Sequence, residues 1–228
     1  MATSGPDTTQ RRAASRVTMS VVALLAVALA LLYQPVASLL SSSGFLSKNA
    51  SSNAVSSVCV QLRDRFGAGP IVLPSDVASY TMLREENWSQ TAWQDPACIA
   101  EPNTASEVGL LVAALACNNV PFAIRSGGQS PNLLDATIKE GVLISTANFN
   151  QVSYSIETGL VTLGPSARWD PVYTELDKHN KTMVGGRVMD VGVGGLSLGS
   201  GLSYLTDLYG LVCDNIVSYE RMNQGQFP

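Results

Sequence analysis

Residues 185–201 read GGRVMDVGVGGLSLGSG, and seven of these 17 positions are glycine. Glycine lets the backbone approach a ligand closely, and it adopts positive φ angles without steric cost. Successive main-chain N–H groups in such a segment form an anion-binding concavity that suits a diphosphate. Tight turns have the same composition, so this segment alone does not separate a binding loop from a turn.

A second glycine-rich segment, Arg125–Pro131 (RSGGQSP), directly follows an apolar stretch that predicts a strand. With two such loops, the phosphate-binding interpretation becomes as strong as the tight-turn interpretation. Neither segment fits the dinucleotide fingerprint G-x-G-x-x-G, because Ser197 stands where Gly192 and Gly194 would require a third glycine. A Rossmann domain is therefore disfavoured.

The composition of the 228-residue chain is globular, with 46% hydrophobic and 14% charged residues. This length suits one sizeable domain with an N-terminal extension. A net charge of −4 gives no reason to expect nucleic-acid binding, which requires clustered Lys and Arg. The four cysteines show no C-x-x-C spacing and His179 is the single histidine, so a metal site is disfavoured.

The N-terminal 40 residues predict entry into the secretory pathway. Three arginines at positions 11, 12 and 16 precede an almost wholly apolar stretch, Val17–Leu40, which is the layout of a secretory signal. The stretch approaches the ~20 residues that cross a bilayer, so a cleaved signal peptide and a membrane anchor both stay open. Residues 41–57 contain eight serines and predict a flexible linker. Three N-x-[S/T] sequons predict glycan sites at Asn49, Asn87 and Asn180.

Apolar periodicity from residue 58 to residue 220 predicts an α+β domain. Helices are expected at about 55–66, 104–118, 170–178 and 196–208. The second of these begins with a capping box formed by Thr104 and Glu107. Strands are expected at 120–125, 141–146, 151–156, 160–163, 182–185 and 211–220. His179 is interpreted as a solvated residue at a helix end, and three tryptophans as packing residues: Trp88, Trp93 and Trp169.

Four segments match one known family in order: Pro96–Val108 (PACIAEPNTASEV), Val120–Asn132 (VPFAIRSGGQSPN), Val184–Asn215 and Ile216–Glu220 (IVSYE). They resemble the FAD-binding PCMH-type domain of the p-cresol methylhydroxylase and vanillyl-alcohol oxidase superfamily. Within it, the fungal branch related to berberine bridge enzymes and sugar oxidases is the most similar. The resemblance spans about Cys59–Glu220 and implies two α/β subdomains, with the core at 92–220.

The resemblance implies that both glycine-rich loops wrap the FAD diphosphate, and that residues 213–217 lie against the cofactor. The FAD-binding residues that it implies are Ser126, Gly127, Gly128, Gln129, Ser130, Gly192, Gly194, Gly195, Gly199, Gly201, Asp214, Asn215 and Val217. Gln129 and Val188 stand where relatives attach the flavin covalently through histidine and cysteine, so FAD is expected to bind non-covalently. The resemblance also implies a disulfide between Cys59 and Cys117 and places Cys213 in a buried position beside the cofactor.

In that family a substrate domain follows, covers the flavin and supplies the catalytic base. This chain departs from the pattern at Arg221 and ends in a divergent tail, 221–228, so the substrate domain is expected to be missing. The function implied is an FAD-linked oxidoreductase that takes a hydride from a secondary metabolite or sugar-like alcohol, with O2 as acceptor. No catalytic residue can be assigned. The alternatives are a non-catalytic FAD-binding remnant and a half-enzyme that needs a second chain.

Overall fold

The computed structural model describes residues 51–221. The predicted signal or anchor segment, Asn49 and all of the predicted tail except Arg221 lie outside these residues. Six helices are described: α1 (Ser52–Phe66), α2 (Val77–Arg84), α3 (Ala105–Cys117), α4 (Trp169–Asp177), α5 (Val193–Leu198) and α6 (Thr206–Tyr209). Six strands are described: β1 (Ile71–Val72), β2 (Cys98–Ala100), β3 (Phe122–Arg125), β4 (Val142–Ser145), β5 (Val152–Tyr154) and β6 (Val161–Leu163). The predicted α+β class is confirmed.

The first subdomain is built on a four-stranded sheet with the order β1-β2-β4-β3. Strands β2, β4 and β3 run parallel, and β1 pairs antiparallel with β2. Arg125 at the end of β3 lies opposite Ser145 at the end of β4. The loops that follow these two strands therefore leave the same edge of the sheet, where open α/β sheets bind their ligands.

Alternate residues of these strands face opposite sides, and helices cover both. One face packs against α1 and α3 through a cluster that includes Ile71, Cys98, Val142 and Ile144. The other face packs against α2 through Val72, Ile99 and Leu143, which contact Tyr80 and Leu83. Strands β1, β2 and β4 are therefore apolar at nearly every position, as strands buried on both faces require. In the edge strand β3, Phe122 and Ile124 are exposed.

The second subdomain combines the antiparallel pair β5–β6 with α4 and α5. Its centre is Trp169, which is fully buried. A Cβ on Gly185 or Gly186 would lie 2.3 or 2.4 Å from the indole ring of Trp169. These two glycines are therefore needed for packing, and the prediction that Trp169 is a packing residue is confirmed.

The predicted start of α3 is confirmed by its cap geometry. Thr104 Oγ1 accepts a hydrogen bond from the main-chain N–H of Glu107 at 3.2 Å, as the capping box predicts. The Glu107 carboxylate accepts from the N–H of Asn103 at 2.6 Å instead of from that of Thr104. Helix α1 begins at Ser52, with Ser51 as its N-cap. Residues 52–57 therefore belong to the fold and not to the predicted linker.

Three predicted elements in the C-terminal part are wrong. The strand at 182–185 is irregular, and the helix at 196–208 is replaced by α5 and α6 with an irregular segment between them. Gly199 ends α5, and Gly201 has a φ of +77°, which no helix contains. The strand at 211–220 is also absent, because a 3-10 turn at Cys213–Asn215 interrupts it.

The disulfide pairing implied by the resemblance is also wrong. Cys59 of α1 is bonded to Cys98 of β2, with a Cα–Cα distance of 6.0 Å. Cys59 faces the sheet, whereas Cys117 is the last residue of α3 and its thiol is exposed and free. Cys213 is half-buried instead of buried. The bond therefore ties the N-terminal helix directly to the sheet.

Helix α2 is anchored by Tyr80, whose hydroxyl donates a hydrogen bond to the carbonyl of Pro96 at 2.7 Å. Burial, with the nearby Asp95 carboxylate, raises the pKa of Tyr80 to about 12, against an ordinary value of about 10. The fold therefore favours the neutral phenol. Its contribution is complete below pH ~10 and is lost as the pH rises toward ~12.

We expect the free energy of unfolding to fall by roughly 2–3 kcal/mol more in the native protein than in Tyr80→Phe between pH ~10 and ~12. Chemical denaturation of both proteins across that range measures the difference. Equal losses in the two proteins would show that Tyr80 titrates normally.

Candidate functional site

The glycine-rich loop that comes first along the chain, Ser126–Pro131, leaves the carboxyl end of β3 and lies against residues 87–91. Four consecutive carbonyls of this loop accept hydrogen bonds from three residues of that segment. The bonds run from Trp88 N to Gly128 O (3.2 Å), from Trp88 Nε1 to Gln129 O, from Asn87 Nδ2 to Ser130 O (3.3 Å), and from Thr91 Oγ1 to Pro131 O (2.6 Å). The last four carbonyls of the loop are thus all turned toward this segment.

The main-chain donors of the same loop have no protein partner. None of the five N–H groups from Ser126 to Ser130 donates to an acceptor among residues 51–221. Buried or half-buried N–H groups are almost always paired, and Gly128 is buried with a φ of +63°. A run of unpaired N–H groups in a loop with one left-handed residue is an anion-binding arrangement.

The two glycine-rich loops touch main chain to main chain. A Cβ on Gly127 would lie 2.6 Å from the Cα of Gly192, and a Cβ on Gly192 would lie 2.7 Å from the Cα of Gly127. A Cβ on Gly194 would lie 2.6 Å from the carbonyl oxygen of Pro165. No residue other than glycine fits these three positions without moving backbone.

A cavity of about 310 Å³ adjoins this contact, at the carboxyl ends of β3 and β4. Ser126 forms part of its wall and donates its hydroxyl to the carbonyl of Pro165 at 2.5 Å. The volume is at the small end of the ~300–1,000 Å³ range of small-molecule sites, so it suits one segment of a dinucleotide. The lining residues are Glu86, Ser126, Ala147, Asn150, Ser166, Ala167, Arg168 and Pro171.

Arg125 supports the first loop from below and is only 2% exposed. Its guanidinium donates to the carbonyl of Leu83 at 2.7 Å and to the carboxylate of Glu86 at 2.5 Å. Burial lowers the pKa of Arg125, and the carboxylates of Glu86 and Glu101 oppose that shift. Because its charge is already paired within the protein, Arg125 is not a free ligand for an anion.

Three other charged groups lie near the site. Hydrogen bonds from the Ser130 hydroxyl and the Asn132 amide lower the pKa of Asp135, so this side chain stays a carboxylate. Burial raises the pKa of Glu101. The Arg168 guanidinium at the cavity wall pairs with Asp190 at 3.2 Å. None of these arrangements brings together a nucleophile, a base and an orienting group within the described chain.

The structure brings only some of the predicted FAD-binding residues close together. Ser126, Gly127, Gly192 and Gly194 meet at the contact between the loops. Gly201 instead packs against Leu196 and Val212, Gly199 ends α5, and a Cβ on Gly195 would meet nothing within 4 Å. Asp214 and Asn215 use their side chains to close the 209–215 turn, and Val217 is 75% exposed.

Segment 87–91 was not predicted as part of the site, because its one visible signal was the sequon at Asn87. Asn87 is 2% exposed and its Nδ2 atom is hydrogen-bonded inside, so a glycan on Asn87 is incompatible with this fold. Asn180 is exposed and remains a predicted glycan site. Trp88 is 59% exposed, so the prediction that it is a packing residue is wrong.

Comparison with known proteins identifies the ligand that suits this geometry. A family model described as "FAD binding domain" matches residues 96–225, more than half of the chain. The chain belongs to this FAD-binding family. The PCMH-type, berberine-bridge-like resemblance is thereby confirmed, and FAD is the cofactor of the domain. The unpaired N–H groups and the glycine-only contact in the FAD-binding domain fit the diphosphate of that cofactor.

Named relatives of the FAD-binding domain are much longer than this chain. FAD-dependent monooxygenase FUP4 of Fusarium proliferatum (strain ET1) is 42% identical over 134 residues, which cover 58% of this chain and 26% of the relative. The bifunctional solanapyrone synthase of Alternaria solani is 40% identical over 152 residues, which cover 67% of this chain and 29% of the synthase. This chain thus spans between a quarter and a third of the length of these relatives.

Solved structures show the same fold. The 6-hydroxy-D-nicotine oxidase of Arthrobacter nicotinovorans superimposes with a TM-score of 0.59 at 26% identity, covering 63% of this chain and 31% of the oxidase. A variant of BBE-like 1 from Physcomitrella patens superimposes with a TM-score of 0.60 at 26% identity. The superposition covers 68% of this chain and 34% of the BBE-like protein. Within residues 51–221, no helix is long and apolar enough to cross a membrane.

Proposed function

We propose that this chain provides the FAD site of an oxidoreductase that oxidises a small organic substrate, a secondary metabolite or a sugar-like alcohol. FAD held by this chain would supply the redox chemistry, which is acceptance of a hydride from the substrate with O2 as the final acceptor. The observation that carries the proposal is the loop Ser126–Pro131, whose carbonyls face residues 87–91 and whose N–H groups stay unpaired. The named relatives, FAD-dependent monooxygenases among them, support the reaction class.

The described residues of this chain would bind and orient the cofactor. The N–H groups of Ser126–Ser130 would hold the diphosphate, because they donate to no protein acceptor within the described part of the chain. Gly127 and Gly192 would bring both loops close to it, since their main chains are already in contact. Gln129 and Val188 are both exposed and carry no group that can bond covalently to a flavin, so the cofactor is held by these contacts alone.

The test is titration of the purified chain with FAD, followed by flavin fluorescence and absorbance. We expect saturable binding of FAD, competition by ADP, and much weaker binding of riboflavin, which has no diphosphate. Acid precipitation should then release all of the flavin into the supernatant. Well-folded protein that stays colourless with excess FAD would disprove the proposal, and a yellow pellet would disprove non-covalent binding.

A second candidate function is a half-enzyme that binds FAD and receives its substrate-binding part from a second polypeptide. Exposed apolar side chains near the end of the described chain favour it: Leu198, Tyr204, Leu208 and Val217 are 75% to 82% exposed. Where such side chains lie together, they mark contact surfaces. Formation of H2O2 from O2 with a panel of alcohols and sugars supports the complete enzyme. Flavin that dithionite reduces but that no member of the panel reduces favours the half-enzyme or a non-catalytic remnant.

A further inference from the structure

The segment from Asn87 to Thr91 is joined to the FAD-binding loop, Ser126–Pro131, by a row of hydrogen bonds. Three of its residues, Asn87, Trp88 and Thr91, donate to four consecutive carbonyls of that loop, about 40 residues away in sequence. We call these three residues the loop clamp. Hydrogen bonds to four successive carbonyls, three from side chains and one from the main chain of Trp88, leave the loop a single orientation.

The orientation of a carbonyl fixes the direction of the next N–H, because a trans peptide is planar and holds the two groups antiparallel. Trp88 holds the carbonyls of Gly128 and Gln129. The N–H groups of Gln129 and Ser130 must therefore point to the opposite side of the loop. Trp88 thus determines where two of the five donors of the loop point, those of Gln129 and Ser130, although it touches neither. Asn87 and Thr91 hold the carbonyls of Ser130 and Pro131 and so fix the position of the end of the loop.

The clamp is itself anchored from behind. The carbonyl of Asn87 accepts a hydrogen bond from Trp93 Nε1 at 2.8 Å, and its Oδ1 accepts from the N–H of Ser89 at 3.0 Å. Gly128 approaches the Cα of Asn87 and the side chain of Arg125, so that a Cβ would lie 3.4 Å from each. Asn87 is therefore fixed on several sides, and a rigid donor can set the position of a loop more accurately than a mobile one.

We propose that Asn87, Trp88 and Thr91 are positioning residues that preset the loop Ser126–Ser130 for the FAD diphosphate before the cofactor arrives. The inference depends on the proposed FAD site. Preorganised donors bind more tightly than donors that must first be ordered. Loss of one clamp bond should therefore weaken binding of the diphosphate while the rest of the fold remains.

Thr91→Val and Thr91→Ser form the matched test, since both keep the size of the side chain approximately and only serine keeps the hydroxyl. Thr91 is exposed, so neither substitution disturbs the core. We expect Thr91→Val to raise the Kd for FAD and for ADP by about 5- to 10-fold and Thr91→Ser to leave both unchanged. Thr162→Val, at an exposed position on β6, is the control for the chemical change alone.

Two further measurements separate positioning from general stability. The unfolding midpoint of Thr91→Val without FAD should stay close to that of the native chain, while limited proteolysis within the loop Ser126–Pro131 should be faster. Equal weakening by the valine and serine variants, or native FAD affinity in Thr91→Val, would overturn the inference while leaving the FAD site intact. Failure of the native chain to bind FAD would instead overturn the proposed function.

Discussion

Gly127→Ala is expected to abolish FAD binding, with a Kd at least about 100-fold higher than that of the native chain. The new Cβ would lie 2.6 Å from the Cα and 2.7 Å from the main-chain nitrogen of Gly192. Both atoms belong to backbone, so they cannot rotate away as the end of a side chain would. The two loops must separate, and the donors of the first loop then lose their position relative to the second.

Fluorescence titration with FAD measures the loss, and circular dichroism confirms that the variant is folded. Gly69→Ala is the matched control, because Gly69 lies in an exposed turn where a Cβ would meet nothing within 4 Å. It should bind FAD like the native chain. If Gly127→Ala bound FAD with native affinity, the contact between the loops would not be part of the cofactor site.

Cys98→Ala should lower the free energy of unfolding by about 4 kcal/mol. The disulfide between Cys59 and Cys98 closes a loop with a sequence separation of 39, and a loop of that size gives about this value in the chain-entropy model. Both sulfurs are also buried in the main core, where a lost side-chain atom leaves a small cavity. Native protein treated with a reducing agent should lose a similar amount of stability.

Chemical denaturation of Cys98→Ala and of Cys117→Ala distinguishes the observed pairing from the one that the family resemblance implied. Cys117 is free and exposed at the end of α3, so its substitution should change the free energy of unfolding by less than about 0.5 kcal/mol. Comparable losses in both variants would contradict the pairing of Cys59 with Cys98. Mapping of the disulfide by proteolysis without reduction gives an independent answer.

Local signals in the sequence were sufficient for the parts of the fold that local chemistry decides. The capping box at Thr104 and the apolar stripe that follows it predict α3 correctly. The strands β3 and β4 fall inside their predicted ranges, because both carry apolar runs bounded by turn residues. Between residues 196 and 220 the apolar pattern predicts the wrong elements. Glycines, and turns closed by hydrogen bonds from side chains, decide the backbone there instead.

Of the candidate site, only the two glycine-rich loops could be predicted from the sequence. The glycine composition of both loops identifies Gly127 and Gly192, and the contact between their main chains confirms that glycine is required there. Nothing in the sequence reveals that Asn87 and Thr91 hold the first loop, because a hydrogen bond across about 40 residues leaves no periodic pattern. The pairing of Cys59 was missed for the same reason, since a choice among four cysteines depends on tertiary structure.

The separation between segment 87–91 and the loop that it holds has a consequence for production of the protein in a cell. The proposed diphosphate site does not exist in any short fragment, so flavin can be captured only after both subdomains have folded. Captured flavin then favours the folded chain by mass action, by about 2.7 kcal/mol when its concentration is 100 times the Kd. The yield of intact protein should therefore rise with the riboflavin supply of the host. A culture that is starved of riboflavin should degrade more of the protein.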